Sequence, residues 1–241
     1  METFPGGTGL TRLQVYPWTA ADGLAGGSPH LHTASTESYV VLGGHGRVQT
    51  LSLAGLTEHE LSVGDVLWFT PGTVHRLVND SGDLDILAVM ANAGLPEHGD
   101  AVLTFPDADL ADPDRYRRAA ALPTGEAAVR EEAVRRRRDH ALAGYQELIT
   151  AGRPGFERFL QRAAHLVRGR TDQWRDLVKS GPAVAVDDTL AQLDSLTAGD
   201  PGAMRSPVTR RGETLTALGM CGHLQTWQLR PDPDEPGRPV S

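Results

Sequence analysis

The feature that most constrains this chain is a pair of histidines one residue apart, His30 and His32, followed by Glu37 and, after a gap, by His75. Side chains alternate between the two faces of a strand. If residues 30–32 are extended, both imidazoles therefore point the same way and Leu31 points to the opposite face. Glu37 lies an odd number of positions after His32, so a turn must intervene for it to join them. Thr33-Ala34-Ser35-Thr36 is small and polar, which suits that turn. A second turn signal, Thr70-Pro71-Gly72-Thr73, precedes His75. Short strands joined by such turns can bring all four groups around one point inside a barrel. Imidazole and ionised carboxylate are both good metal ligands near neutral pH.

The surrounding sequence has the same cadence. Leu13-Gln14-Val15-Tyr16, Ser38 to Leu42, Val48 to Leu53, Val66 to Phe69 and Leu84 to Met90 read as short strands. Gly43-Gly44-His45-Gly46, Gly64-Asp65 and Asp80-Ser81-Gly82-Asp83 read as the turns between them.

Over residues 10 to 95 the chain resembles the cupins, small jelly-roll β-barrels. The resemblance rests on two motifs. In the first, His30, His32, Glu37 and Gly44 fall at the family's spacing; the leading glycine position holds Leu24, next to Gly23. In the second, Gly64, Gly72, His75 and Asn79 fall in place; the proline position holds Thr70, with Pro71 one residue later. The resemblance implies a mainly β fold and one divalent metal ion held by His30, His32, Glu37 and His75. Fe(II) is favoured, and Mn(II), Ni(II), Cu(II) and Zn(II) also suit the ligands. The implied chemistry is that of an enzyme acting on a small organic molecule, with O2 as co-substrate in a dioxygenase-type reaction. An isomerase or lyase using the metal as a Lewis acid is the alternative, as is a non-catalytic ligand sensor. Glu37 can also serve as a base, and Tyr39, two residues on, shares its face and is the second catalytic candidate.

After about residue 95 the text changes. Residues 96 to 125 read as a linker rich in proline and aspartate. A long helix is predicted from about Thr124-Gly125-Glu126 to Thr150, broken by Gly152-Arg153-Pro154-Gly155. Phe156, Phe159, Leu160 and Ala163 recur at i, i+3, i+4 and i+7, an amphipathic helix. Trp174, Leu177 and Val178 suggest a short helix. Asp187 or Asp188 is placed as the cap of another, with Leu190, Leu193 and Leu196 on its inner face. Thr214 to Met220 and Leu224 to Leu229 return to strand. The expected organisation is a barrel over residues 1–110, a helical region over 111–230 whose terminal strands pack back on the barrel, and a disordered tail over 231–241.

The remaining expectations are bland ones. Arg135-Arg136-Arg137-Arg138 follows Glu131 and Glu132 at the spacing of helix ion pairs, and reads as a solvated face. The formal net charge of −8 argues against nucleic acid as a partner. His45, His59, His98, His140 and His165 sit in loop-like or charged surroundings and are expected in solvent. Cys221 and His223 would share a strand face as packing residues. A single cysteine excludes an intramolecular disulfide. With no leader-like start and no apolar run of the roughly 20 residues that span a bilayer, the expected setting is cytoplasmic, with no membrane partner. A homodimer is expected.

Overall fold

The computed structural model describes residues 3–231. Two antiparallel sheets form the body of the protein, as the sequence predicts for a jelly roll with helical additions. One has six strands in the order β10-β11-β1-β8-β3-β6 and the other five, in the order β5-β4-β7-β2-β9. The strands are β1 (Gly9–Val15), β2 (His30–His32), β3 (Glu37–Gly43), β4 (His45–Ser52), β5 (Gly55–Ser62), β6 (Val66–Phe69), β7 (Val74–Val78), β8 (Asp85–Met90), β9 (Ala101–Leu103), β10 (Arg210–Leu218) and β11 (Gly222–Pro231). Leu13, Val41, Val48, Leu77 and Ile86 are buried in a common apolar cluster between the sheets. Strict alternation delivers them: β3 reads buried at Glu37, Tyr39 and Val41 and more open at the residues between.

A second apolar cluster covers the other side of the five-stranded sheet. Leu31, Val74 and Val102 from its strands meet Leu142, Tyr145, Phe156, Phe159 and Ala163 from the long helix α3 (Ala127–Val167). The amphipathic face expected over 156–163 is thus the face that packs. β2 and β7 are buried at every position because both their faces are covered. Gly152 interrupts α3 with φ 59° and ψ −152°, a conformation that suits glycine, and Pro154 follows. The predicted break is therefore a kink inside one helix, not a boundary.

Four expectations need correction. Residues 96–125 are not a linker: β9 pairs with β2, Phe105 and Leu110 are buried, and α1 (Asp107–Leu110) and α2 (Pro113–Ala120) follow. α4 (Thr171–Ser180) is the short helix expected around Trp174, but α5 (Pro182–Thr197) starts earlier than the aspartates placed as its cap. Proline suits a first helical position because it has no N–H to leave unpaired. Leu190, Leu193 and Leu196 on α5 are about half exposed, so they form no inner face. The fourth correction concerns the arginines. Arg136 pairs with Glu132 in solvent as expected, but Arg138 is 1% exposed. Its guanidinium donates to the carbonyls of Trp18, Thr19 and Gly26. Arg137 donates to the carbonyls of Ala120 and Gly219, and Arg135 lies 4.0 Å over the Trp18 ring. Arg137 and Arg138 thus fasten α3 through backbone carbonyls, and Arg135 through the Trp18 ring.

The two ends of the arginine run should behave differently. Arg138→Ala leaves three carbonyls short of a donor and is expected to cost about 2–4 kcal/mol. Arg136→Ala removes an exposed pair and should stay within about 0.5 kcal/mol. Urea unfolding of both variants checks this; equal effects would contradict the buried role of Arg138.

Candidate metal centre

His30 and His75 are register partners on neighbouring strands β2 and β7, which sets their rings side by side. His32 is two residues along β2 and shares their face. The turn at residues 33–36 carries the chain from the five-stranded sheet to the six-stranded one. Glu37, the first residue of β3, therefore faces the histidines from the opposite layer. This crossing is why the spacing to Glu37 is odd. The four ligand atoms all lie within 4.8 Å of one another, and all four residues are buried. Every residue predicted as a ligand reaches the cluster.

Each imidazole is oriented from behind. His30 Nδ1 lies 2.9 Å from the Ser28 carbonyl and His75 Nδ1 lies 3.2 Å from the Thr73 carbonyl. A carbonyl only accepts, so Nδ1 carries the proton and Nε2 presents a lone pair when the ring is neutral. His32 Nδ1 lies 2.6 Å from Asp100 Oδ1. Asp100 is fully buried, and its other oxygen accepts from the Ser35 backbone N–H at 3.0 Å. One carboxylate thus fixes both the His32 ring and the turn leading to Glu37. Burial alone would raise the Asp100 pKa; the bonds from His32 and Ser35 outweigh it and hold the group ionised. Nothing in the two motifs points to Asp100, which lies outside both, near the start of the stretch 96–125 that reads as a linker. The short apolar run Ala101-Val102-Leu103 after it is a strand signal.

The donor set fits a cation. Glu37 Oε2 lies 3.1 Å from His75 Nε2 and 3.5 Å from His32 Nε2, out of line for a hydrogen bond. Glu37 Oε2 and His75 Nε2 are buried atoms without a hydrogen-bond partner. Leaving such groups unpaired is costly, and a positive ion between them removes the cost. Protonation states agree. Burial pushes the His30 pKa well below its ordinary value, and the neighbouring histidines push it further, so that ring stays neutral. Burial would also lower His32, but Asp100 and Glu37 outweigh it and raise its pKa. Burial would raise Glu37; His75 and His32 outweigh it and keep the carboxylate charged.

A cavity of about 210 Å³ opens beside the cluster, lined by His30, His32 and Glu37 but not by His75. Tyr39 lines it, two residues beyond Glu37 and on the same face. Burial drives the Tyr39 hydroxyl pKa far above its ordinary value, and the Glu37 charge adds to this, so the hydroxyl keeps its proton. Cys221 also lines the cavity, with Sγ 3.9 Å from His30 Nδ1; burial pushes its thiol pKa up to about 12, which leaves it unreactive at neutral pH. His223 does not share that position: its ring packs edge-on against Tyr16 and Trp18. His45 and His165 are exposed as expected, whereas His59, His98 and His140 are half-buried, with His98 Nδ1 2.6 Å from the Gly94 carbonyl and His140 bonding Asp109 at 2.8 Å. A larger groove of about 640 Å³ runs between the N-terminal segment and β10–β11, but no cluster of ligating side chains lines it.

Among curated proteins none matches the sequence. Among solved structures the chain is similar to KdgF from Halomonas sp., with 24% identity over 28% of this chain and 57% of that one and a TM-score of 0.25. It is similar to a putative sugar phosphate isomerase from Acidithiobacillus ferrooxidans, with 23% identity over 34% of this chain and 49% of that one and a TM-score of 0.28. It is also similar to a predicted oxalate decarboxylase from Thermotoga maritima, with 23% identity over 34% of this chain, 64% of that one and a TM-score of 0.28. The chain spans less than two thirds of each, and likenesses this low bear on neither activity nor substrate. The family model described as Cupin domain matches residues 18–90, the segment that contains all four ligand residues. The chain carries a cupin domain over residues 18–90, built around His30, His32, Glu37 and His75.

Proposed function

We propose that His30, His32, Glu37 and His75 hold one divalent transition-metal ion, Fe(II) favoured, and that the centre oxidises a small organic molecule with O2. The observation that carries this reading is the set of buried, inward-facing ligand atoms beside an open cavity. Four protein ligands leave one or two positions for substrate or oxygen on an ion that prefers five or six. Bound there, a redox-active ion would supply electron transfer and Lewis acidity.

The chain's own residues do the rest. Glu37 is ionised and can accept a proton from a group brought beside it. Tyr39 keeps its hydroxyl proton and can donate a hydrogen bond. The apolar walls exclude water from the reacting end. Besides the ligands, the ionisable cavity residues are Tyr39, Cys221 and Glu97. The first two are held protonated, and the Glu97 carboxylate accepts from the Gly94 N–H. Isomerase or lyase chemistry, with the ion as Lewis acid and Glu37 as base, is the second reading.

Protein purified without added metal should contain one ion per chain by elemental analysis. His75→Ala should lose most of it and stay folded. Asp100→Asn removes the charge behind His32 and should weaken the metal by about 10–100-fold. Protons compete for Nε2. Affinity should therefore fall as pH drops, His32 taking up a proton first because Asp100 raises its pKa. Absence of a stoichiometric ion in both elemental analysis and metal titration would end this reading.

Oxygen uptake with a panel of small substrates tests the reaction type. Consumption that His75→Ala abolishes supports the oxidation; turnover without consumption shifts the reading to isomerase or lyase.

We also propose a homodimer. Val66 and Trp68 on β6 are strongly exposed, and the register sets Val66 beside Val40 on the outer sheet face. Such a patch is unfavourable in water. Trp68→Lys is expected to give monomers in light scattering, and a monomeric unmodified protein would refute the dimer.

A further inference from the structure

Strand register explains the shape of the cavity beside the ligands. Directly opposed residues of antiparallel strands share a face. Tyr39 opposes Ala88, Ala88 opposes Thr11, and Thr11 opposes Thr226. After Tyr39, this row of small side chains crosses the inner face of the six-stranded sheet from β3 to β11. The row on one side contains Leu13 opposite Leu224. The row on the other begins with Glu37 opposite Met90. Small residues between larger ones leave a trough, and all of these residues line the cavity. One end reaches Glu37, which is 6% exposed and whose Oε2 has no hydrogen-bond partner. The wall nearest β11 is the turn that bears Met220 and Cys221.

That turn is fixed from behind. Tyr16 Oη and Arg137 both donate to the Gly219 carbonyl, at 3.2 and 3.0 Å. The Tyr16 N–H donates to the Cys221 carbonyl at 3.1 Å, and the Ser28 N–H to the Met220 carbonyl at 2.9 Å. Met220 is therefore held at a set distance from the ligands. Among the described residues no lysine or arginine lines the cavity. A phosphate group lying along the trough, away from Glu37, would lose its hydration with no side-chain cation in return. An apolar chain gains about 0.8 kcal/mol for each CH2 it buries.

We propose that the substrate of this centre is a small, elongated molecule with an apolar body and no phosphate, lying in the trough with its reacting end at Glu37, and that Met220 and Leu224 set the length accepted. This substrate class rests on the metal-centre reading above, but the trough itself does not include the ion.

The test uses straight-chain alcohols and ribose 5-phosphate as probes, with binding to the full-length protein followed by titration calorimetry, metal-free and loaded with Zn(II). 1-Butanol and 1-hexanol should bind both forms, and ribose 5-phosphate should not bind the metal-free form. Met220→Ala lengthens the trough and should shift the preference toward 1-octanol over 1-butanol by about tenfold. Met220→Leu should keep the original preference. Leu224→Glu should lose alcohol binding; if that variant fails to fold, the Met220→Ala preference decides. Tighter binding of ribose 5-phosphate than of any alcohol by the metal-free form, or an unchanged chain-length preference in Met220→Ala, would overturn the proposal. His75→Ala separates the two readings. Alcohol binding retained there, with no metal in any form of the protein, sinks the metal reading alone. A loaded protein that binds none of the alcohols sinks the trough alone.

Discussion

The site depends on hydrogen bonds made at the far side of each imidazole. A histidine can turn either nitrogen inward, and the wrong choice would aim an N–H at the other ligands. The Ser28 and Thr73 carbonyls, each two residues before its histidine, settle that choice with groups the chain supplies anyway. His32 has Asp100 instead, a charge that must itself be buried and neutralised. That single carboxylate joins β2, the crossing turn and the start of β9. Its removal would loosen the ring, the turn and the approach of Glu37 together, which is why Asp100 matters as much as a residue that faces the cavity.

Burial of β2 and β7 on both faces is the second requirement. Imidazoles occupy one side; the other side needs an apolar cover, which α3 provides through Tyr145, Phe156 and Phe159. Covering a sheet with a helix is ordinary, but α3 is also fastened at its polar edge by Arg137 and Arg138. Their guanidinium groups donate to carbonyls of Trp18, Thr19, Gly26, Ala120 and Gly219, segments distant in the sequence. Burial lowers the Arg137 pKa, though a guanidinium has ample margin to remain charged.

The barrel and its ligands were legible because β-alternation and ligand spacing are local signals. His30, His32, Glu37 and His75 all sit within two short motifs, and strand geometry does the rest. What was illegible depended on long-range context. Asp100 acquires its role only when β9 lies beside β2. The arginines looked solvated because Glu131 and Glu132 precede them at helix spacing, yet only Arg136 makes that ion pair. The carbonyls that receive Arg137 and Arg138 belong to distant segments that no periodicity announces. The apolar spacing on α5 was real, but periodicity cannot say whether a face is covered, and there it is not. β10 and β11 were foreseen as strands; their place beside β1 was expected only in outline.

The pairing of β11 with β1 has a consequence for how the protein is made. Thr11 and Thr226 are register partners from opposite ends of the chain. During synthesis His30, His32, Glu37 and His75 emerge well before the strand that flanks β1. Until then β1 presents an open edge to its surroundings, and open edges invite pairing with other chains. Closing so long a loop also slows assembly. The nascent protein therefore holds a complete set of ligands before it has a complete sheet, and its exposure to misassembly is set by the time needed to translate the helices in between.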